Sequence, residues 1–338
     1  MTRICICGGG SLAHVCAGVL ASRPDVEVRI LTRRPELWSP TLTITDPDGR
    51  EYRGTLACVS SDVVEVLRDC DIVLLCLPGY AIEPTLQNLA LHLDAHTVVG
   101  SIVSSTGFFF AAHRLLPPQT PLFGFQRVPY IARTQEYGRS AHLLGYKARL
   151  AVAIENVENP EALRSAIEDL WQTPTALLGS HYEASLTNSN PILHTGRLYT
   201  MWHTWDGQTP YDRCPLFYRE WTDEASEQLI AMDAEFMLLL AHLPVTPGAI
   251  PPLLEYYDSH DAPSLTRKIR SIAAFSTIPS PMLQTEEGWY PDFGSRYFTE
   301  DFPYGLHHIV RLASEHKIAA PHLTEVYRWG MDVINRRK

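Results

Sequence analysis

The run Ile4-Cys5-Ile6-Cys7-Gly8-Gly9-Gly10-Ser11-Leu12-Ala13 constrains the fold of this chain more than any other segment. An apolar, β-type stretch passes at once into three glycines, and Ser11–Ala21 then carries helical periodicity. Gly8 permits a tight turn, and Gly10 lets the backbone approach a pyrophosphate resting on the helix N-terminus. Ala13 is small enough for the helix to pack close against the strand. A second β-branched run, Val26–Leu31, follows at the spacing of a strand–helix–strand unit. The pattern predicts a dinucleotide site whose phosphates meet Gly8, Gly10, Ser11, Leu12 and Ala13.

The alternation continues. Asp71–Leu77 reads as a buried strand stopped by Pro78-Gly79, Ile82–Leu91 as a helix, and Thr97–Val103 as another strand. Thr41–Thr45 and Glu51–Val59 flank the turn sequence Asp46-Pro47-Asp48-Gly49 and form a hairpin candidate. Pro121–Gln126, His142–Gly145, Arg149–Ile154 and Thr175–Leu178 keep strand character, with a helix at Pro160–Trp171. Beyond Gly179 the character changes: Ala184–Thr200, Ala225–Ala241, Ala262–Phe275, Ile309–Glu315 and His322–Asn335 read as helices with little strand signal. The fold class is therefore α/β. A Rossmann-type doubly wound parallel sheet, with helices on both faces, is expected over residues 1–179, and an all-helical substrate domain over 180–338.

A chain of 338 residues suits two domains. Its net charge of −10 argues against nucleic acid or an anionic membrane as partner. No apolar run approaches the roughly 20 residues of a membrane span, and no signal-peptide pattern opens the chain, so a cytoplasmic protein is expected. The seven cysteines are odd in number and lack paired CxxC motifs, which predicts free thiols in a reducing compartment. No metal site is expected; His307-His308 lacks a third ligand at suitable spacing.

The end of the second strand bears on the cofactor. An NAD site usually places Asp or Glu there for the ribose hydroxyls, whereas this chain has Thr32-Arg33-Arg34. Guanidinium groups and a hydroxyl would bind a 2′-phosphate through charge-assisted hydrogen bonds. NADP(H) is thus favoured, with NAD(H) the alternative. Two further loops follow strand ends, at Leu77-Pro78-Gly79-Tyr80 and Ser104-Ser105-Thr106-Gly107-Phe108, and Pro78 and Thr106 are candidates to touch the dinucleotide.

In the helical half, Asn188-Ser189-Asn190-Pro191-Ile192-Leu193-His194 puts an imidazole after a polar patch with a proline. Hydride transfer to a C=O or C=N carbon needs a proton donor for the heteroatom, which imidazole supplies near neutral pH. Residues 295–305, Ser-Arg-Tyr-Phe-Thr-Glu-Asp-Phe-Pro-Tyr-Gly, set charges among aromatics, a costly combination to bury without partners. Asp301 would fix the tautomer of His194, and Arg296 would grip a substrate carboxylate bidentately. Trp202, Trp205, Trp221, Tyr199, Tyr211 and Tyr218 read as packing residues of this half, and Gln126 and Arg127 as residues facing a cleft.

The Asn190-Pro-Ile-Leu-His194 motif together with Arg296-Tyr-Phe-Thr-Glu-Asp301-Phe-Pro-Tyr-Gly305 resembles the opine dehydrogenase family, of the octopine/nopaline dehydrogenase type. Phe217-Tyr218-Arg-Glu220 and Met232-Asp233-Ala-Glu235 extend the resemblance over nearly the whole chain. It implies a Rossmann domain joined to a helical domain similar to the C-terminal domain of 6-phosphogluconate dehydrogenase. It also implies a His194/Asp301 proton relay, Arg296 on an oxo-acid carboxylate, and Asn190 as a polar neighbour of the histidine. The implied reaction is the NAD(P)H-dependent reductive condensation of a 2-oxo acid with the amino group of an amino acid, in a pocket expected between the domains. Many members carry Pro directly after the histidine, where this chain has Thr195. If the chain oligomerises, a homodimer through the helical half is expected. Two rivals stand beside this reading. One is a ketopantoate-reductase-like or β-hydroxyacid dehydrogenase, whose catalytic lysine would have to be Lys268 or Lys317. The other is a non-catalytic NADP-binding sensor.

Overall fold

Strand β1 (Thr2–Cys7) leads through the glycine turn into α1 (Ser11–Ala21), and β2 (Val26–Leu31) follows. The chain continues through β3 (Thr41–Thr45), β4 (Glu51–Thr55), β5 (Cys58–Ser60), α2 (Val63–Leu67), β6 (Ile72–Leu75), α3 (Gly79–Leu89), β7 (Val98–Ser101) and α4 (Phe108–Leu115). Then come β8 (Leu122–Phe125), β9 (Tyr130–Glu136), β10 (Ser140–Tyr146), β11 (Leu150–Glu155), α5 (Pro160–Trp171), β12 (Thr175–Leu177) and α6 (His181–Leu186). The computed structural model describes residues 1–336 and divides into two units, Met1–Thr187 and the chain from Asn188 onward. The division falls after Thr187 rather than after Gly179 because α6 packs with the first unit. Ala184 joins the core cluster of α3 and α4, and Gln126 Nε2 donates to Glu183 O and to Thr187 Oγ1. Arg127 also donates to Thr187 O, so both side chains expected in a cleft hold the end of α6.

The main sheet has eight strands in the order β12-β11-β8-β7-β6-β1-β2-β5. Six of them, from β5 to β8, are parallel, but β11 runs antiparallel to β8 and β12 parallel to β11. The expected doubly wound parallel sheet is thus present, extended at one edge by β11 and β12. A parallel return needs a crossover connection, and the β9–β10 hairpin between β8 and β11 does not provide one.

Alternate residues of β1 enter opposite faces of the sheet, Ile4 and Ile6 on one side and Cys5 and Cys7 on the other. On the cysteine side lie α2, α3 and α4, as expected of a doubly wound fold. On the other side α1 is covered in turn by a second sheet, β4-β3-β10-β9, in which the foreseen β3–β4 hairpin meets β10 and β9. Two glycines permit this approach. A Cβ on Gly18 would lie 2.3 Å from the Ile44 side chain, and one on Gly54 2.6 Å from the Gly18 carbonyl oxygen.

The second unit contains α7 (Asn190–Trp202), α8 (Asp223–Leu240), α9 (Leu253–Tyr256), α10 (Ala262–Ser271), a short hairpin of β13 (Met282–Gln284) and β14 (Trp289–Pro291), α11 (Arg296–Thr299), α12 (His307–Glu315) and α13 (Pro321–Asn335). The Thr222 hydroxyl caps α8, and a reciprocal Asp261/Ser264 capping box starts α10. The break between α6 and α7 at residues 187–189 interrupts the single helix expected from Ala184 to Thr200. All seven cysteines are free. Among the described residues no helix is long and apolar enough to cross a membrane.

Candidate active site

The glycine loop shows what each position requires. Gly8 has φ 137°, and a Cβ there would lie 2.5 Å from the Cys76 carbonyl oxygen, so only glycine fits. A Cβ on Gly9 would meet the Tyr137 hydroxyl at 2.5 Å, whereas one on Gly10 would meet nothing within 4 Å. The open space beside Gly10 lies at the N-terminus of α1, where backbone N–H groups favour an anion. Ala13 is fully buried, as close packing of α1 demands, and Leu12 packs its side chain on the core.

The second sheet clasps this loop. Ser11 Oγ accepts the Thr134 backbone N–H at 3.0 Å, so its hydroxyl is engaged by β9. His14 lies beneath, fully buried and stacked on Trp38. Its Nε2 accepts the Gly138 N–H at 2.7 Å, which leaves Nδ1–H to donate to Gly10 O at 2.9 Å. Burial pushes the imidazole below its usual pKa, consistent with a neutral ring in both contacts. None of Thr134, Tyr137 and Gly138 was foreseen as part of the loop's surroundings, because their contacts with it span more than a hundred residues.

Thr32, at the end of β2, is buried, and Arg33 and Arg34 are exposed. Arg34 lies over the Tyr137 ring at 5.4 Å, while the Arg33 guanidinium has no partner among the described residues. Pro78 caps α3 at the carboxyl end of β6. Thr106 follows β7 at the same edge of the sheet, and its buried hydroxyl has no hydrogen-bond partner. An open glycine turn, an orphaned hydroxyl and an unpaired guanidinium around the carboxyl ends of parallel strands fit a dinucleotide.

In the second unit, His194 stands on α7 and is buried. Its Nδ1 lies 2.8 Å from Asp301 Oδ2, and its Nε2 lies 2.8 Å from the Tyr218 hydroxyl. With the carboxylate accepting from Nδ1–H, the neutral ring accepts the phenol proton at Nε2. Burial pushes the Tyr218 phenol well above its usual pKa, so it stays protonated at neutral pH. The Tyr297 ring lies 4.7 Å from the imidazole, with Phe217 edge-on at 5.8 Å. Tyr218 is thus more than the packing residue expected. Its signal lay in the Phe217-Tyr218-Arg-Glu220 motif, whose loop is fixed by buried Arg197 donating to Glu220 O and Thr222 Oγ1.

Asp301 owes its place to a packing device. Residues Phe302–Leu306 form a π-helical turn leading into α12. A Cβ on Gly305 would lie 2.6 Å from the Pro191 ring of α7, and one on Gly330 of α13 would lie 2.0 Å from the Phe302 ring. Two glycines therefore let this segment sit between α7 and α13, bringing Asp301 to His194. Pro191 is at the first turn of α7, where its missing N–H costs nothing. Thr195 does not disturb the helix; it is fully buried and its hydroxyl donates to Pro191 O.

Arg296 opens α11 next to Tyr297, exposed and without a side-chain partner among the described residues. Asn190 stands four residues before His194 on α7, half-buried, and its side chain bonds neither the imidazole nor Asp301.

The family described as "NAD/NADP octopine/nopaline dehydrogenase, alpha-helical domain" matches residues 177–334, and "Ketopantoate reductase PanE/ApbA" matches residues 4–107. Octopine dehydrogenase of Mizuhopecten yessoensis is 27% identical, the alignment covering 99% of this chain and 90% of that protein. Tauropine dehydrogenase of Arabella iricolor is 26% identical over 99% of this chain and 92% of its own length. A solved octopine dehydrogenase with NADH and L-arginine superposes with a TM-score of 0.87 at 26% identity, covering 99% of this chain and 90% of that one. Yersinopine dehydrogenase with NADP+, at 15% identity and a TM-score of 0.76 over 100% of this chain and 92% of its own, shares the fold. With its Rossmann-type sheet, its helical second half and these relatives, the chain is similar over nearly its whole length to the opine dehydrogenases, which are NAD(P)-dependent oxidoreductases.

Proposed function

We propose that this enzyme condenses a 2-oxo acid with the amino group of an amino acid and reduces the resulting imine, with NADPH as the preferred cofactor. The single observation that carries the reading is the linked set Asp301–His194–Tyr218, a carboxylate, an imidazole and a phenol joined by two 2.8 Å contacts. Attack of the amine nitrogen on the carbonyl carbon, with loss of water, gives the imine. The reduced nicotinamide supplies the hydride that its carbon receives. His194 exchanges the proton that these steps move, Asp301 holds its tautomer and stabilises the imidazolium, and Tyr218 carries the proton at Nε2. Arg296, an unpaired guanidinium beside Tyr297, binds the oxo-acid carboxylate. Asn190, one helical turn before His194, contributes polar contact to the substrate.

For the cofactor, Thr32-Arg33-Arg34 presents two cations and no carboxylate at the end of β2, which supports a 2′-phosphate. The lysine-dependent alternative finds little support. Lys268 pairs with Asp258 at 3.6 Å, and Lys317 lies exposed after α12.

The test is NADPH and NADH oxidation over a panel of amino acids crossed with pyruvate, glyoxylate and 2-oxoglutarate. Oxidation that requires both an amine and an oxo acid is expected. Turnover with an oxo acid alone would instead identify a hydroxyacid-forming reductase. His194→Ala is expected to lower kcat by about 10²–10⁴-fold with cofactor affinity unchanged. Near wild-type turnover in that variant would remove His194 from the mechanism.

A further inference from the structure

In the first unit, away from the groups described so far, three side chains converge. His113 lies in the last turn of α4, Glu155 ends β11, and His181 opens α6. His113 Nε2 is 2.6 Å from one Glu155 carboxylate oxygen, and His181 Nδ1 is 2.7 Å from the other. The ligand-capable atoms of all three residues lie within 4.8 Å of one another. We propose that His113, Glu155 and His181 form a binding site for a divalent transition-metal ion of the zinc, nickel or cobalt type, separate from the dinucleotide loops.

The donor set is two imidazoles and one carboxylate, which suits borderline ions and not magnesium or calcium. It is assembled on three rigid elements. The His181 ring is wedged among Phe109, Phe110 and Tyr182, with centroids 5.4, 5.9 and 4.0 Å away, and this fixes its donor toward Glu155. An entry path exists: a pocket of ≈ 550 Å³ is lined by His113, Glu155, Asn156 and apolar residues such as Leu116 and Pro118. Water from that side would complete the coordination.

Its place in the sheet separates it from the reaction. Glu155 pairs with Leu122, the first residue of β8, so the cluster lies at the amino edge of the parallel strands. The Gly8, Pro78 and Thr106 loops follow the carboxyl ends of strands parallel to β8. Helix α4 starts just after the Thr106 loop and ends near His113, so the ion would brace α4 at the end opposite the dinucleotide.

The test titrates the chelator-treated full-length protein with Zn²⁺ by calorimetry and with Co²⁺ by visible absorption. One saturable site, d–d bands without thiolate charge transfer, a raised Tm and no comparable response to Mg²⁺ are expected. His113→Ala, at a half-exposed position that should not affect folding, is expected to weaken binding at least about tenfold, no less than the loss of an outer-shell partner. Glu155→Gln should do the same while preserving shape. Reductase turnover of metal-free His113→Ala should match the wild type. Absence of a saturable site, a thiolate signature, or wild-type affinity in both variants would overturn the proposal.

Discussion

At the residue scale, the environment of His194 carries the most chemistry. Both ring nitrogens are engaged, one by Asp301 and the other by Tyr218, so in the proposed reaction a proton leaving the ring at Nε2 would pass through the phenol. Tyr218→Phe keeps the ring stacked on Phe275 and removes only the hydroxyl. It should lower kcat by about tenfold, the worth of one hydrogen bond of ~1–1.5 kcal/mol, and leave the cofactor KM unchanged. An unaltered kcat and pH–rate profile would leave Tyr218 a packing residue. Asp233 offers a separate test. It is buried on α8, and burial raises its pKa above the usual carboxylate value to about 6, although the Leu253 N–H bonds it. The folded state therefore binds the proton more tightly than the unfolded chain. Stability from this group is full below the unfolded pKa and is lost as pH rises through about 6, a penalty of roughly 2–3 kcal/mol at neutral pH. Asp233→Asn retains an acceptor for Leu253 and cannot ionise. Its Tm should exceed the wild type at pH 7.5, and the gap should close near pH 4. A gap that does not change with pH would refute the burial argument.

At the scale of elements, the contrast between local and distant causes decides what could be read from the sequence. The strand–glycine–helix unit and the hairpin around Asp46–Gly49 were legible because each is specified by a few adjacent residues. The motif around Asp301 was legible as a resemblance, and its meeting with His194 was expected from the chemistry of imidazole and carboxylate. The π-helical turn was not legible. Pro303-Tyr304-Gly305 has the composition of a turn, and what makes it helical is its packing between Pro191 of α7 and Gly330 of α13. Likewise β9 reads Tyr-Ile-Ala-Arg-Thr-Gln-Glu, too polar to declare itself, and becomes a strand by pairing with β10 and meeting α1. The packing account predicts that Gly305→Ala, whose new methyl would press on Pro191, destabilises the protein by about 1–3 kcal/mol. It should also lower kcat beyond what the lost folded fraction explains, because Asp301 shifts. Thermal unfolding and kcat measured on the same sample check both; a change in neither would show that the segment tolerates the displacement.

At the scale of the whole molecule, the expected two-part plan was legible from the change of pattern after Gly179, while the position of the seam depended on α6 docking onto α4, β8 and β11. The second sheet laid over α1 was hidden because its four strands come from two separated stretches of chain. That sheet makes the glycine loop a reporter as well as the proposed dinucleotide site. The backbone amides of Thr134 and Gly138 donate to side chains on α1, Ser11 and His14, so their protection depends on how firmly that helix start is held. Saturation with dinucleotide should slow deuterium uptake at Thr134 and Gly138, more than a hundred residues from the glycines, and leave the β13–β14 hairpin exchanging as before. Uptake around residues 134–138 that ignores the cofactor would mean that the loop orders without drawing on its cover.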